Sequence, residues 1–112
     1  MLKILHNPKC SKSRATLELL ESKGLNPEIV RYLDRPLDEA ELKQVLVKLS
    51  KRAKDIVRVK EEEFKSLKID LEDDKAVICA LAAHPRIMER PIVITHTAAR
   101  IGRPPEQVLE IL

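Results

Sequence analysis

LKILHNPKCSKSRATLELLESKGLNPEIVRYL, residues 2–33, is the stretch from which the fold can be read. Leu2 to Leu5 is a short apolar run that breaks at His6-Asn7-Pro8. A helical stretch follows from about Ser13 to Lys23, and Gly24 stands where helices are commonly closed by a left-handed residue. Pro27 then leads into Ile29-Val30-Arg31-Tyr32-Leu33, a β-rich run with charged flanks. Strand, helix and strand in this order predict a βαβ unit with parallel pairing and a right-handed crossover.

Working outward, Asp38 followed by Glu41 resembles a capping pair, and Leu42, Val45, Leu46 and Leu49 fall at i, i+3, i+4 and i+7, so a helix is expected to start near residue 38. Residues 51–68 are charged and weakly periodic, which suits short helices. Asp73-Asp74 is placed to cap a buried helix through Ala76 to Ala83 that stops before Pro85. Ile92 to Thr95 reads as a strand that starts at Pro91, where a missing N–H is tolerated, and Ala99 to Ile101 as a fourth strand. A last helix is expected after Pro104, with Val108, Leu109, Ile111 and Leu112 as its apolar side. The order β-α-β, helical middle, β-β-α predicts one α/β domain over residues 1–112. Its arrangement is thioredoxin-like: a small mixed four-stranded sheet with flanking helices and a helical insertion between the second and third strands.

Composition narrows the function. Of 112 residues, 44% are hydrophobic and 35% charged, with 21 Lys and Arg against 18 Asp and Glu. A chain of this size buries a normal core without staples and is not disordered. Two cysteines, Cys10 and Cys79, are too few for a disulfide framework, and the N-terminal apolar stretch is too short for a signal peptide, so free thiols and a cytoplasmic location are expected. The longest apolar run, Ala76 to Ala83, is far short of the roughly 20 residues that span a bilayer. Basic and acidic residues are interleaved, and one Tyr with one Phe offers no base-stacking platform, which argues against nucleic acid. With Gly24 and Gly102 as its only glycines, the chain has no phosphate-cradling loop, and no bound cofactor is expected. His6, His84 and His96 do not have the spacing of metal ligands.

Cys10 is the candidate for chemistry. It lies in His6-Asn7-Pro8-Lys9-Cys10-Ser11-Lys12-Ser13-Arg14, between Pro8 and the start of a helix, in cationic surroundings. An ordinary thiol with pKa near 8.5 is about 3% ionised at pH 7, and a fall of roughly two units raises that to about 75%. Such a fall takes about 2.7 kcal/mol, more than the roughly 0.3–1 kcal/mol of a helix N-terminus, so Lys9, Lys12, Arg14 or His6 must contribute. A thiolate tuned in this way is also a better leaving group, which suits attachment to a substrate followed by displacement by a second thiol. The same donors and charges form an anion site, so an oxyanion substrate fits. His6 either assists Cys10 or is a polar strand-end residue. Cys79, inside Ala76-Val77-Ile78-Cys79-Ala80-Leu81, is expected to be a small buried hydrophobe. No Cys-x-x-Cys is present at Cys10, so resolution by an external thiol is the simpler scheme.

The string HNPKCSKSR, together with RPIV at 90–93 and the C-terminal RIGRPPEQVLEIL, resembles the arsenate reductase (ArsC) family of the glutathione- and glutaredoxin-coupled kind, most of all its reductase-like branch. The likeness runs over essentially the whole chain, and Asn-Pro-x-Cys with Ser13 and Arg14 three and four residues on is specific. The family fold is thioredoxin-like with a helical insertion, in agreement with the element order. The resemblance implies that Cys10 is the nucleophile toward arsenate, with glutathione as co-substrate and glutaredoxin as partner. It also implies that Arg58, Arg90 and Arg103 hold the oxyanion, that His6, Ser13 and Arg14 support the site, and that Arg90-Pro91 sits at the cis-proline position. Guanidinium forks suit a tetrahedral anion better than ammonium groups do. Arg52, close to Arg58, is an alternative third arginine. Two other functions stay open: thiol chemistry on another oxyanion or a glutathionylated substrate, and a non-enzymatic redox or transcription regulator. Members of the last kind commonly carry a Cys-x-x-Cys switch, which Cys10 and Ser13 do not make.

Overall fold

A computed structural model describes all 112 residues. The chain forms two compact units: Met1–Arg35 together with Arg90–Leu112, and Pro36–Glu89.

The first unit is built on four strands, β1 (Leu2–Leu5), β2 (Glu28–Val30), β3 (Ile92–Thr95) and β4 (Ala99–Ile101), in the order β2-β1-β3-β4. β1 pairs with β2 in parallel and with β3 antiparallel, and β3 pairs antiparallel with β4. This mixed sheet is the thioredoxin-like arrangement expected from the sequence. Helix α1 (Ser11–Ser22) crosses from β1 to β2, and a 3-10 helix spans Pro105–Ile111. Ile4 of β1 lies opposite Val93 of β3, and both are buried with Leu20 of α1 and Val108 of the 3-10 helix in one apolar cluster. Leu2, Leu17, Leu19, Leu25 and Ile111 close its edges. α1 ends in a Schellman turn: the Gly24 N–H donates to Glu21 O at 2.9 Å and the Leu25 N–H to Leu20 O at 3.1 Å. Gly24 has φ +76°, which explains the glycine.

Two boundaries and the winding of one helix differ from the sequence reading. α1 begins at Ser11 rather than near Ser13, directly after Cys10. β2 stops at Val30, because Arg31 O accepts from the N–H groups of both Asp34 and Arg35 and turns the chain there; Tyr32 is buried but not in a strand. The C-terminal helix is 3-10, with three residues per turn, so residues 105, 108 and 111 share one face. Val108 and Ile111 therefore pack on the core while Leu109 and Leu112 lie in the exposed row.

The second unit holds α2 (Glu39–Leu49), α3 (Glu62–Leu67) and α4 (Asp74–Ala83), with 3-10 turns at Ala53–Ile56 and Pro85–Ile87. Asp38 and Glu41 form a reciprocal capping box, Asp38 Oδ1 accepting from Glu41 N–H at 2.8 Å and Glu41 Oε1 from Asp38 N–H at 3.1 Å. Leu42, Val45, Leu46 and Leu49 are buried on α2, which packs on α4. Asp73 caps α4 through the Ala76 N–H. No helix is long and apolar enough to cross a membrane.

Cys79 is exposed, not buried as its apolar neighbours suggest. Val77, Ile78, Ala80 and Leu81 are the buried residues of α4, and at about 100° per residue they leave position 79 on the opposite side. A continuous apolar run hides this sidedness, since every position in it looks fit for the core.

Candidate active site

Cys10 is the N-cap residue of α1, with extended backbone angles (φ −96°, ψ 124°), and its carbonyl accepts the first helical N–H, from Arg14, at 3.0 Å. The N–H groups of Ser11, Lys12 and Ser13 have no partner one turn back, as at every helix start. No side chain closes them with a full capping hydrogen bond. Those of Lys12 and Ser13 act instead on the sulfur. Burial, the largest single influence, opposes ionisation of Cys10, but the backbone N–H groups of Ser13 and Lys12 and the guanidiniums of Arg90 and Arg103 together outweigh it and hold the thiol below its ordinary pKa. Only 9% of the residue's surface is accessible. It is therefore a sheltered sulfur whose enclosure is polar and positive rather than apolar.

The loop before Cys10 is tied from within. Asn7 Oδ1 accepts from the Lys9 N–H at 3.0 Å, and Asn7 O accepts from the Cys10 N–H at 3.0 Å. The Asn7 N–H donates to Ser13 Oγ at 2.9 Å, and Ser13 Oγ lies 2.6 Å from His6 Nδ1. The Ser13 hydroxyl, which accepts from the Asn7 N–H, keeps its proton and a second lone pair for His6, so it donates to Nδ1 or accepts from it according to the imidazole tautomer. Burial lowers the His6 pKa, and the charges of Arg31 and Arg14 lower it further. Arg14 reaches back along the loop, its Nη1 donating to Pro8 O at 3.0 Å. His6, Ser13 and Arg14 are thus found bracing the loop that carries the thiol.

Two arginines arrive from the other end of the chain. Arg90 precedes Pro91 at the entry to β3, and Arg103 precedes Pro104 after β4; both peptide bonds are cis. The Arg90-Pro91 isomer is the one the resemblance implied. Arg103 donates through Nε to Arg90 O at 2.9 Å and places Nη2 3.8 Å from Cys10 Sγ. Arg58 lies in the second unit, where Nη2 is 3.3 Å from Glu61 Oε2 and Nη1 donates to Arg86 O at 3.2 Å. Arg52, the alternative to it, is engaged with Glu72 and Asp74, and Lys54 also pairs with Glu72.

Sequence reading gave no role to Asn7, Thr16 or Gly102. Thr16 is fully buried in α1, and Gly102 touches it. The signal available was the scarcity of glycine: Gly102 is one of two, and it stands directly before Arg103.

Comparison with known proteins identifies the family. Residues 5–111 match the model of the ArsC family. The chain is 48% identical to the uncharacterized protein YfgD of Escherichia coli, over 99% of this chain and 96% of that one. It is 46% identical to an arsenate reductase of Neisseria meningitidis, over 99% and 97% of the two chains. The solved structure of the arsenate reductase from Vibrio cholerae matches with a TM-score of 0.92 at 45% identity, covering 99% of this chain and 97% of that one. A match along nearly the whole length, in sequence and in backbone, shows that the chain belongs to the ArsC family.

Proposed function

We propose that the protein is an arsenate reductase in which the Cys10 thiolate is the nucleophile and glutathione and glutaredoxin are the external reductants. The observation that carries this reading is the approach of Arg103 Nη2 to within 3.8 Å of Cys10 Sγ at the start of α1. A sulfur held among N–H groups and guanidiniums sits where an oxyanion is also stabilised. The similarity to arsenate reductases supports arsenate as that oxyanion.

The chemistry balances as a two-electron reduction. The Cys10 thiolate attacks arsenic and forms an S–As bond, and an arsenate oxygen leaves as water after protonation. Glutathione adds to the arsenic through its sulfur, and a second oxygen leaves in the same way. A glutaredoxin thiolate then attacks the glutathione sulfur; the electron pair of that S–As bond passes to arsenic, which becomes As(III), and the two thiols leave as a mixed disulfide. Water displaces Cys10 and frees arsenite and the thiolate. The chain's own residues bind the anion through Arg90 and Arg103, keep the sulfur ionised, and improve it as the final leaving group. His6, Ser13 and Arg14 hold the loop in place. Arg58 as a third anion ligand rests on the family resemblance alone. In this scheme the reducing power comes from thiols rather than a bound cofactor, which fits a glutathione-rich compartment such as the cytoplasm.

The test is arsenate-dependent NADPH consumption in the presence of glutathione, glutaredoxin and glutathione reductase. Wild type is expected to turn over and Cys10→Ser to fall to background. Equal rates for the two would reject the reading. Arg58→Ala in the same assay shows whether that residue takes part.

A further inference from the structure

The position of Arg103 is set by more than its own hydrogen bonds. Gly102 N–H donates to Pro91 O at 2.9 Å and Arg103 N–H to Ile101 O at 2.9 Å, which ties the segment to its neighbours after β4. On the side toward α1 there is only the bare α-carbon of Gly102. A Cβ at this position would fall 2.5 Å from Thr16 Oγ1, 3.2 Å from Thr16 Cγ2 and 2.9 Å from Pro91 Cγ. Non-bonded heavy atoms are comfortable at about 3.5–4.0 Å, so a methyl group would push the segment and the helix apart by roughly 1 Å. Gly102 lacks the left-handed backbone of Gly24, so space rather than conformation is what requires glycine. Thr16 offers a rigid seat. It is fully buried and β-branched, and its hydroxyl donates to Lys12 O at 2.8 Å, within the turn whose free N–H groups act on the Cys10 sulfur.

We propose that Gly102 and Thr16 are positioning residues: the side-chain-free backbone of Gly102 seats directly on Thr16, and this contact sets the distance at which the Arg103 guanidinium meets the Cys10 sulfur. One link of the chain runs through α1 to the thiol, and the other runs one residue along to Arg103. The inference rests on the reading of Cys10 as a reactive thiolate flanked by Arg103, but not on arsenate as the substrate.

The test follows ionisation of Cys10 with neither arsenate nor reductant present, so it can fail without the arsenate reading failing. In a Cys79→Ser background, thiolate absorbance and the alkylation rate are followed against pH for wild type, Gly102→Ala, Thr16→Ala and the double variant. Gly102→Ala is expected to move the Cys10 midpoint up by about half a pH unit or more, because the guanidinium is carried away from the sulfur. The double variant, in which the two Thr16 clashes are gone, is expected to return toward the Thr16→Ala midpoint. A folded Gly102→Ala protein with the wild-type midpoint overturns the proposal, and so does a raised midpoint that removing the Thr16 side chain leaves unchanged. Should Gly102→Ala not fold, Thr16→Val asks the same question from the helix side. A methyl group of larger radius then replaces Oγ1 against Gly102, the midpoint is again expected to rise, and an unmoved midpoint overturns the proposal.

Discussion

Arg103 holds the Arg90 carbonyl through Nε and brings Nη2 toward Cys10. Lysine at this position would keep the charge but could not do both. Arg103→Lys is therefore expected to preserve much of the thiol's acidity while weakening anion binding. A lost hydrogen bond to a charged group is worth about 1.5–3 kcal/mol, so kcat/KM for arsenate should fall about 10- to 100-fold with most of the change in KM. Steady-state kinetics at saturating glutathione would check this, and an unchanged KM would mean that the fork is not used. His6 gives a pH prediction. Its folded-state pKa is lowered, chiefly by burial, so below about pH 6.5 the unfolded chain binds a proton that the folded one resists. Stability is fully present above that value and is lost as pH falls through the lower, folded pKa. Denaturant titrations at several pH values should show a steeper acid loss for wild type than for His6→Gln, whose amide can still hydrogen-bond Ser13; parallel curves would mean that burial does not hold the His6 pKa down.

Among the elements, those with strong local chemistry were legible and those shaped by distant contacts were not. α2 announces itself because Asp38 and Glu41 satisfy each other's N–H groups and the four apolar positions fall on one face. Asp38→Ala should cost about 0.5–2 kcal/mol, readable as a shift in thermal or denaturant midpoint, and no shift would mean that the box is idle in solution. α1 starts two residues earlier than the sequence suggests, and the difference matters: at Ser13 the helix would leave Cys10 in a loop, whereas at Ser11 it gives the sulfur two backbone donors. The apolar residues after Pro104 fit an α-helix as a list, but the 3-10 winding sorts them differently. Winding depends on what the segment packs against, which a window of ten residues does not record. The exposure of Cys79 is hidden for a related reason: a run with no polar residue has no visible side.

For the molecule as a whole, the sheet unit comes from both ends of the chain and encloses a core in which Leu20 meets Ile4, Val93 and Val108. Leu20→Ala, at a fully buried position, should destabilise by about 2–5 kcal/mol, as read from a urea midpoint; a loss below 1 kcal/mol would show that the cluster repacks freely. The site divides in the same way as the fold. Cys10 draws notice in the sequence through its cationic surroundings, and Arg90 and Arg103 through the motifs that resemble the family, whereas the seat of Gly102 on Thr16 leaves no local pattern. A residue that is needed for the room it leaves cannot be recognised until its neighbour is known.

The separation of Cys10 and Arg103 by 93 positions also has a consequence for biosynthesis. The ribosome delivers the sulfur early and the guanidiniums last, after the whole helical insertion. A nascent chain thus carries Cys10 without these guanidiniums, and the arrangement proposed for the site can form only after Arg103 has been translated and its segment has met the start of α1.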